Sequence, residues 1–294
     1  MDQTTVIGMI GIGVMGKSIA GHLLSKGYQV HVYTRTKSKA EDLITRGAIW
    51  KDSPKEIATS ANVIFTMVGY PQDVAEVYLG KEGLIAHVDR GTYLVDMTTS
   101  KPSLAKEIYE QALAKQVFAL DAPVSGGDIG AREARLSIMV GGDREVFDRI
   151  KPLFELIGTH IIYQGEAGAG QHTKMCNQIT IASNMIGVTE ALIYAEQAGL
   201  NPKQVLQSIE TGAAGSWSLS QLGPRMLKGD YDPGFYVKHF IKDMAIALEA
   251  AEEMKLTLPG LKLAKHIYDQ LVALGEEESG TQVLFKHFMK INPH

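Results

Sequence analysis

The chain has 294 residues, 45% hydrophobic and 21% charged, with a formal net charge of −4; this is the composition of a soluble globular protein with one large or two ordinary domains. No basic run exceeds a few residues, which speaks against nucleic-acid binding through a charged face, and the longest uncharged stretch, 175–189, is too short for a bilayer span. A single cysteine, Cys176, leaves no internal disulfide and fits a reducing, cytoplasmic setting; no signal peptide is visible, and nine histidines without HxH or HExxH spacing suggest no metal site.

The first apolar run, TVIGMI (5–10), reads as a strand. It ends at Gly11-x-Gly13-x-x-Gly16, inside which a helix over 14–26 begins. Strand, glycine turn and helix in that order are what a dinucleotide-binding loop requires. The first glycine makes the tight turn, the second lets backbone approach a pyrophosphate, and the third lets helix and strand pack closely. The helix N-terminus adds free N–H groups and the positive end of its dipole. Gly11, Ile12, Gly13, Val14, Met15 and Gly16 are the expected cofactor contacts.

A second strand, YQVHVY (28–33), leads into TRTKSKAED. A site that prefers NAD usually places Asp or Glu here, about 20 residues past the glycines. Between Gly16 and Ala40 this chain has no acidic residue; Thr34, Arg35, Thr36, Lys37 and Lys39 occupy the turn. Cations and hydroxyls suit a 2′-phosphate, with Arg35 pairing with it and lying over the adenine and Thr36 donating a hydrogen bond. NADP(H) is therefore the expected cofactor, with NAD(H) usable. Tyr33-x-x-x-Lys37 matches a spacing found in another reductase class, but it falls at the adenosine end, far from any hydride.

Further strands are predicted at 62–68, 92–97, 116–122, 136–142 and 160–164, with helices near 37–46, 54–59, 71–78, 102–114 and 143–156. This alternation predicts an α/β Rossmann-type domain over 1–165, built on a mostly parallel, doubly wound sheet. After residue 165 only helical patterns follow: 169–198, 202–211, 217–228, 237–254, 259–273 and 280–289. They predict an all-α domain over 166–294 for substrate binding and oligomerisation, joined to the first through the long helix.

That helix opens with GAGQHTKMCNQ (168–178), after which no charged residue appears until Glu190. On a helix, Lys174, Asn177, Gln178 and Ile181 stand at i, i+3, i+4 and i+7 and share a face. An amine that moves a proton and two amides that fix orientation suit a hydroxyl or carbonyl substrate. A lysine's ordinary pKa, about 10.4, is too high for an efficient base near neutrality. A dry setting and a nearby second cation both lower it, and the uncharged stretch would supply the first. Cys176 points to another face.

Four motifs now stand in order along the chain: GMIGIGVMG (8–16), DAPVSGG (121–127), GAGQHTKMCNQ (168–178), and KD (242–243) within FYVKHFIKDMAIAL. In this the sequence resembles the β-hydroxyacid dehydrogenase family, which includes 3-hydroxyisobutyrate dehydrogenases and tartronate semialdehyde reductases. The resemblance implies that Ser125, Gly126 and Gly127 bind a substrate carboxylate, that Lys174 is catalytic, and that Asn177 contacts the substrate. It also implies that Lys242, followed by Asp243, lies near the nicotinamide, and that Val68, Gly69 and Thr99 line the cofactor. Gln178 stands where the family usually has a second Asn and is taken as a further substrate contact.

Asp96, Asp121 and His172 are read as structural, and Trp217 and Met226 as core or subunit interface. The expected activity is hydride transfer between NADP(H) and a small β-hydroxyacid or semialdehyde, in a homodimer or homotetramer with no nucleic-acid or membrane partner. Two alternatives are imine reduction on the same fold, against which Lys174 argues, and a non-catalytic dinucleotide-binding module. The C-terminal region is too short for phosphogluconate decarboxylation.

Overall fold

The computed structural model describes residues 4–292 and divides into two compact units, Met1–Lys174 and Met175–His294. The N-terminal unit contains one nine-stranded sheet. Its strands are β1 (Val6–Ile10), β2 (Gln29–Tyr33), β3 (Ile49–Trp50), β4 (Val63–Thr66), β5 (Tyr93–Asp96), β6 (Phe118–Asp121), β7 (Val124–Ser125), β8 (Leu136–Gly142) and β9 (Gly158–Gly165). The order is β3-β2-β1-β4-β5-β6-β8-β7, with β9 beside β8. Pairing is parallel from β3 to β6; β8 runs antiparallel to β6 and β7 and parallel to β9. The order reverses between β1 and β4, the point at which sheets of this kind bind ligands outside the strands' carboxyl ends.

Helices α1 (Val14–Ser25), α2 (Glu41–Thr45), α3 (Pro54–Ala58), α4 (Pro71–Leu79), α5 (Leu84–His87), α6 (Pro102–Leu113), α7 (Gly127–Arg132) and α8 (Arg144–Phe154) accompany the strands. Alternate strand residues feed two cores. Ile7, Met9, Val63, Phe65 and Val95 pack with Ile19 and Leu23 of α1 and Phe147 and Ile150 of α8. Ile10, Ile64 and Leu94 face the other way, toward Ile57, Val74, Tyr78 and Ile108. Covering both faces removes the polar alternation of a half-exposed sheet, which is why these strands read as continuous apolar runs. The sequence pattern misses β3, β7, α5 and α7, each too short to complete a recognisable period.

Helix α9 (Ala169–Gln197) starts at the end of the first unit and runs on through the second. Gln171, Lys174, Met175, Gln178, Ala182, Met185, Thr189 and Leu192 are buried and form a stripe at helical spacing, and toward the helix's end Val188 and Ala195 are buried on a flank of it. Ile179, Ile181 and Ile186, beside that stripe, pack partly on the core. Helices α10 (Pro202–Ile209), α11 (Gly223–Lys228), α12 (Val237–Glu253), α13 (Pro259–Ala273) and α14 (Leu284–Ile291) complete the C-terminal unit, with a π-turn over Ser218–Leu222 ahead of α11. Phe240 of α12 meets Tyr268 of α13 edge to face at 5.0 Å, and the buried Tyr268 hydroxyl donates to the Thr281 carbonyl at 2.9 Å. Met226 lies in this core while Trp217 is exposed.

Candidate active site

The glycines after β1 are each fixed by a different physical demand. Gly11 adopts φ +93°, and a β-carbon there would collide with the Met67 carbonyl after β4. A β-carbon on Gly16 would strike the Gly11 carbonyl, so α1 could not pack as closely against the turn. Gly13 differs: nothing lies within 4 Å of a β-carbon placed on it. The space over Gly13 is open at the start of α1, whose first turn carries no acidic residue. An uncompensated helix N-terminus beneath open backbone fits a diphosphate. Ile12 is buried, Met15 packs partly on the core, and Val14 is exposed.

Arg35, Thr36, Lys37 and Lys39 form an exposed turn beyond β2. The turn lacks carboxylates along the sequence but not in space. Arg35 Nη1 donates to Asp73 Oδ1 at 3.1 Å, and Asp73 Oδ2 accepts the Tyr70 N–H at 3.1 Å in the first turn of α4. Lys37 lies over the Trp50 ring, 5.2 Å from its centroid, and Tyr33 packs on the same ring. Those contacts account for the Tyr33/Lys37 pair as packing.

At the carboxyl ends of β4, β5 and β6 a buried polar network holds the loops. Asp96 Oδ1 accepts from the Thr66 hydroxyl (2.8 Å) and from the Thr98 N–H (3.0 Å). Burial pushes the Asp96 carboxyl up to about 6. The Thr98 hydroxyl accepts the Val68 N–H at 3.0 Å, linking the loop that carries Val68 and Gly69 to the one that carries Thr99. Asp121 Oδ1 accepts the Gly168 N–H and its Oδ2 the Gln171 N–H, both at 2.8 Å, and burial raises this carboxyl too. Both aspartates fix loops.

The same edge shows why the GAG before Lys174 has two glycines. Gly168 takes φ +90°, and a β-carbon on Gly170 would collide with Met139 and Asp121. With Gly141 of β8 also bare, the first turn of α9 settles directly onto the strand ends. Lys174 follows one turn later and is only 7% exposed. Ser125 ends β7, opposite Ser137 of β8, and is half-buried. Gly126 and Gly127 follow at φ +127° and +63°, and a β-carbon on Gly127 would meet nothing within 4 Å. Successive positive φ values are unavailable to bulkier residues and turn the chain sharply into α7.

In the C-terminal unit a second polar chain is buried. Asn177 Nδ2 donates to Gln178 Oε1 at 2.7 Å, and Gln178 Nε2 donates to Asp243 Oδ2 at 2.7 Å. Asp243 Oδ1 lies 3.0 Å from the Lys242 ammonium, an ion pair with no hydrogen bond aligned on that oxygen. Asp243 is 1% exposed and the Lys242 side chain 11%. Gln178, expected to face a substrate, thus engages both atoms of its amide inside the protein, orienting Asn177 at one end and Asp243 at the other. Its extra methylene relative to Asn supplies the reach to α12. The sequence reading assigned no role to Gln171, Asp73 or Thr98. Gln171 lies within GAGQHTKMCNQ, and Asp73 stands at the capping position of TyrProGlnAsp. Among the described residues no group of three or more His, Cys, Asp or Glu could hold a metal ion.

Sheet order, glycine loop and open Gly13 define a dinucleotide-binding α/β unit carrying a buried lysine at its carboxyl edge. Residues 6–165 match the family described as the NAD binding domain of 6-phosphogluconate dehydrogenase, and residues 168–288 the NAD-binding part of NADP-dependent 3-hydroxyisobutyrate dehydrogenase. The chain is 52% identical to a probable 3-hydroxyisobutyrate dehydrogenase-like mitochondrial protein of Arabidopsis thaliana, over 99% of this chain and 87% of that one. It is 39% identical to 2-hydroxy-3-oxopropionate reductase of Escherichia coli, over 92% of each. A solved structure of Mycobacterium tuberculosis 3-hydroxyisobutyrate dehydrogenase with L-serine superposes with a TM-score of 0.88 at 28% identity, covering 97% of this chain and 99% of that one. The chain belongs to the β-hydroxyacid dehydrogenase family, whose members are NAD(P)-dependent hydroxyacid oxidoreductases.

Proposed function

We propose that the protein interconverts a small carboxylate-bearing semialdehyde and its β-hydroxyacid with NADP(H), and that Lys174 moves the proton. The observation that carries this reading is a lysine buried in the first turns of α9, ahead of fifteen residues without charge, on an edge already shaped for a dinucleotide. A bound nicotinamide dinucleotide supplies or accepts the hydride at the substrate carbon. In reduction the Lys174 ammonium gives a proton to the carbonyl oxygen as it becomes a hydroxyl; in oxidation the neutral amine takes the proton from that hydroxyl. Asn177 orients the same oxygen from one helical turn away, itself held by Gln178.

Ser125, Gly126 and Gly127 receive the substrate carboxylate through a hydroxyl and backbone N–H groups. The glycine loop, Val68, Gly69, Thr99 and Lys242 hold the cofactor. Residues 1–165 act as the dinucleotide-binding domain and 166–294 as the substrate and oligomerisation domain. Arg35 and Thr36 favour NADP(H). Asp73 competes for Arg35, so the preference is modest. The protein works in the cytoplasm as a homodimer or homotetramer, with the helical unit at the interface; exposed Tyr194, Leu200, Leu256 and Leu263 give that unit apolar surface to bury. Light scattering showing a stable 32.0 kDa monomer at micromolar concentration would contradict the assembly.

The test is a panel of small semialdehydes and hydroxyacids, each beside a neutral analogue, assayed with both cofactors. The expected result is turnover confined to carboxylate-bearing compounds and faster with NADP(H). Equal kcat/KM for an acid and its neutral analogue would overturn the substrate class.

A further inference from the structure

Gln171 stands three residues before Lys174 on the buried stripe of α9 and is 0% exposed. Both ends of its side-chain amide are used. Nε2 donates to the Thr98 carbonyl at 2.7 Å, and Oε1 accepts the Ser100 N–H at 2.9 Å. The two bonds straddle Thr99 and use neither of its own peptide groups. Thr98 is held in turn by Asp96 through its N–H and ties down the Val68 N–H through its hydroxyl. Gln171's own N–H is taken by Asp121. Gln171 therefore joins the helical turn that leads to Lys174 to the loop after β5 and the end of β6, and through Thr98 to the loop after β4.

We infer that Gln171 is a positioning residue for the reaction: it clamps the Lys174 turn to the Thr98–Ser100 segment and so sets where the lysine stands relative to the cofactor loop. This rests on Lys174 as the proton-transfer residue. The physical need for an amide is specific. A buried carbonyl and a buried N–H about one residue apart require an acceptor and a donor on the same side chain, and an apolar residue would leave both without partners. Displacement of a reacting group by about 1 Å costs about a hundredfold in rate, so a loosened clamp should appear more in kcat than in binding.

Three variants are compared on whichever panel semialdehyde the wild type reduces fastest, with folding checked by thermal melting and cofactor binding by fluorescence. Gln171→Leu removes both bonds; kcat is expected to fall about ten- to a hundredfold, a larger change than in cofactor Kd or substrate KM. Gln171→Glu keeps the shape and serves if the leucine variant does not fold. A neutral carboxyl can donate to Thr98 and accept from Ser100 as the amide does, whereas an ionised one can only accept, and burial favours the neutral form. Its kcat should approach wild type at low pH and fall along a new limb as pH rises. Asp96 and Asp121, the carboxyls of the same network, titrate in both proteins, so the readout is the difference between the two profiles. A folded Gln171→Leu with kcat within twofold of wild type, or a Gln171→Glu profile that overlays wild type, overturns the inference. Lys174→Ala is run alongside. If it keeps its turnover, the proton-transfer reading falls and this inference with it; if it is inactive while the Gln171 variants match wild type, only the clamp falls.

Discussion

Asp121 in the N-terminal unit and Asp243 in the C-terminal unit are both almost fully buried carboxylates, yet they are held differently. Backbone N–H groups of Gly168 and Gln171 meet Asp121, at a place where bare glycines let a helix touch strand ends. Side chains meet Asp243: the Gln178 amide and the Lys242 ammonium. The first arrangement stiffens the backbone turn that leads to Lys174. The second joins side chains of two helices, α9 and α12. At these two carboxylates, main-chain groups supply the partners in one unit and side chains in the other.

If the side-chain relay carries structure as well as orientation, breaking it should have the largest effect on stability. Asp243→Ala strands the Lys242 charge and one end of the Gln178 amide; loss of one partner of a buried pair costs about 3–5 kcal/mol. Asp243→Asn, which keeps an acceptor for Gln178, should lose less. Denaturant midpoints read both, and an alanine variant as stable as wild type would show the relay to be dispensable.

The backbone-centred network should instead show itself through pH. Burial lifts Asp96 to about 6 in the fold, against about 3.9 in an unfolded chain. Folding then takes up a proton between about pH 4 and 6, so the Asp96 contribution is full below that window and is lost as pH rises through it. Asp96→Asn can keep the acceptor for Thr66 and Thr98 without titrating. Wild type should therefore lose about 2–3 kcal/mol relative to this variant between pH 4 and 7. Parallel stability curves would contradict the buried assignment.

The substrate and cofactor ends come next. Ser125→Ala removes one hydroxyl to a carboxylate, worth about 1.5–3 kcal/mol when charge-assisted and less at a half-exposed site. KM for the acid should rise about three- to tenfold with kcat little changed; a neutral analogue should show no rise. The smallest effect belongs to Arg35, whose side chain is 78% exposed and already paired with Asp73. Arg35→Asp should lower the NADP(H)/NAD(H) ratio of kcat/KM by about two- to threefold, and less at high salt. A wild type that prefers NAD(H) at low salt would show that the turn serves another purpose.

The same contrast explains what could be read from the sequence. Main-chain demands leave a mark in the residue types: Gly11, Gly13 and Gly16, the GAG before Lys174, and the apolar runs of β1 and β4 were all legible. So was the helical register that places Lys174 and Gln178 on one buried stripe. Pairings between distant side chains leave no such mark. Asp73 lies 38 positions from Arg35 and Asp243 lies 65 from Gln178, and neither spacing has a period. Gln171 was visible but mute, because an amide in a helix start has no signature until Thr98 and Ser100 are placed beside it. The Val124–Ser125 strand and the α7 turn were too short to announce themselves, although they set the backbone around the expected carboxylate site.

The central claim is that Lys174 moves the proton while the loops around it bind the cofactor. Its most direct test is single-turnover hydride transfer in Lys174→Ala, followed by the absorbance of the reduced nicotinamide, with cofactor affinity measured on the same preparation. The account predicts wild-type affinity and a transfer rate lower by about 10²–10⁴; a variant that transfers hydride at a tenth of the wild-type rate or faster would contradict it.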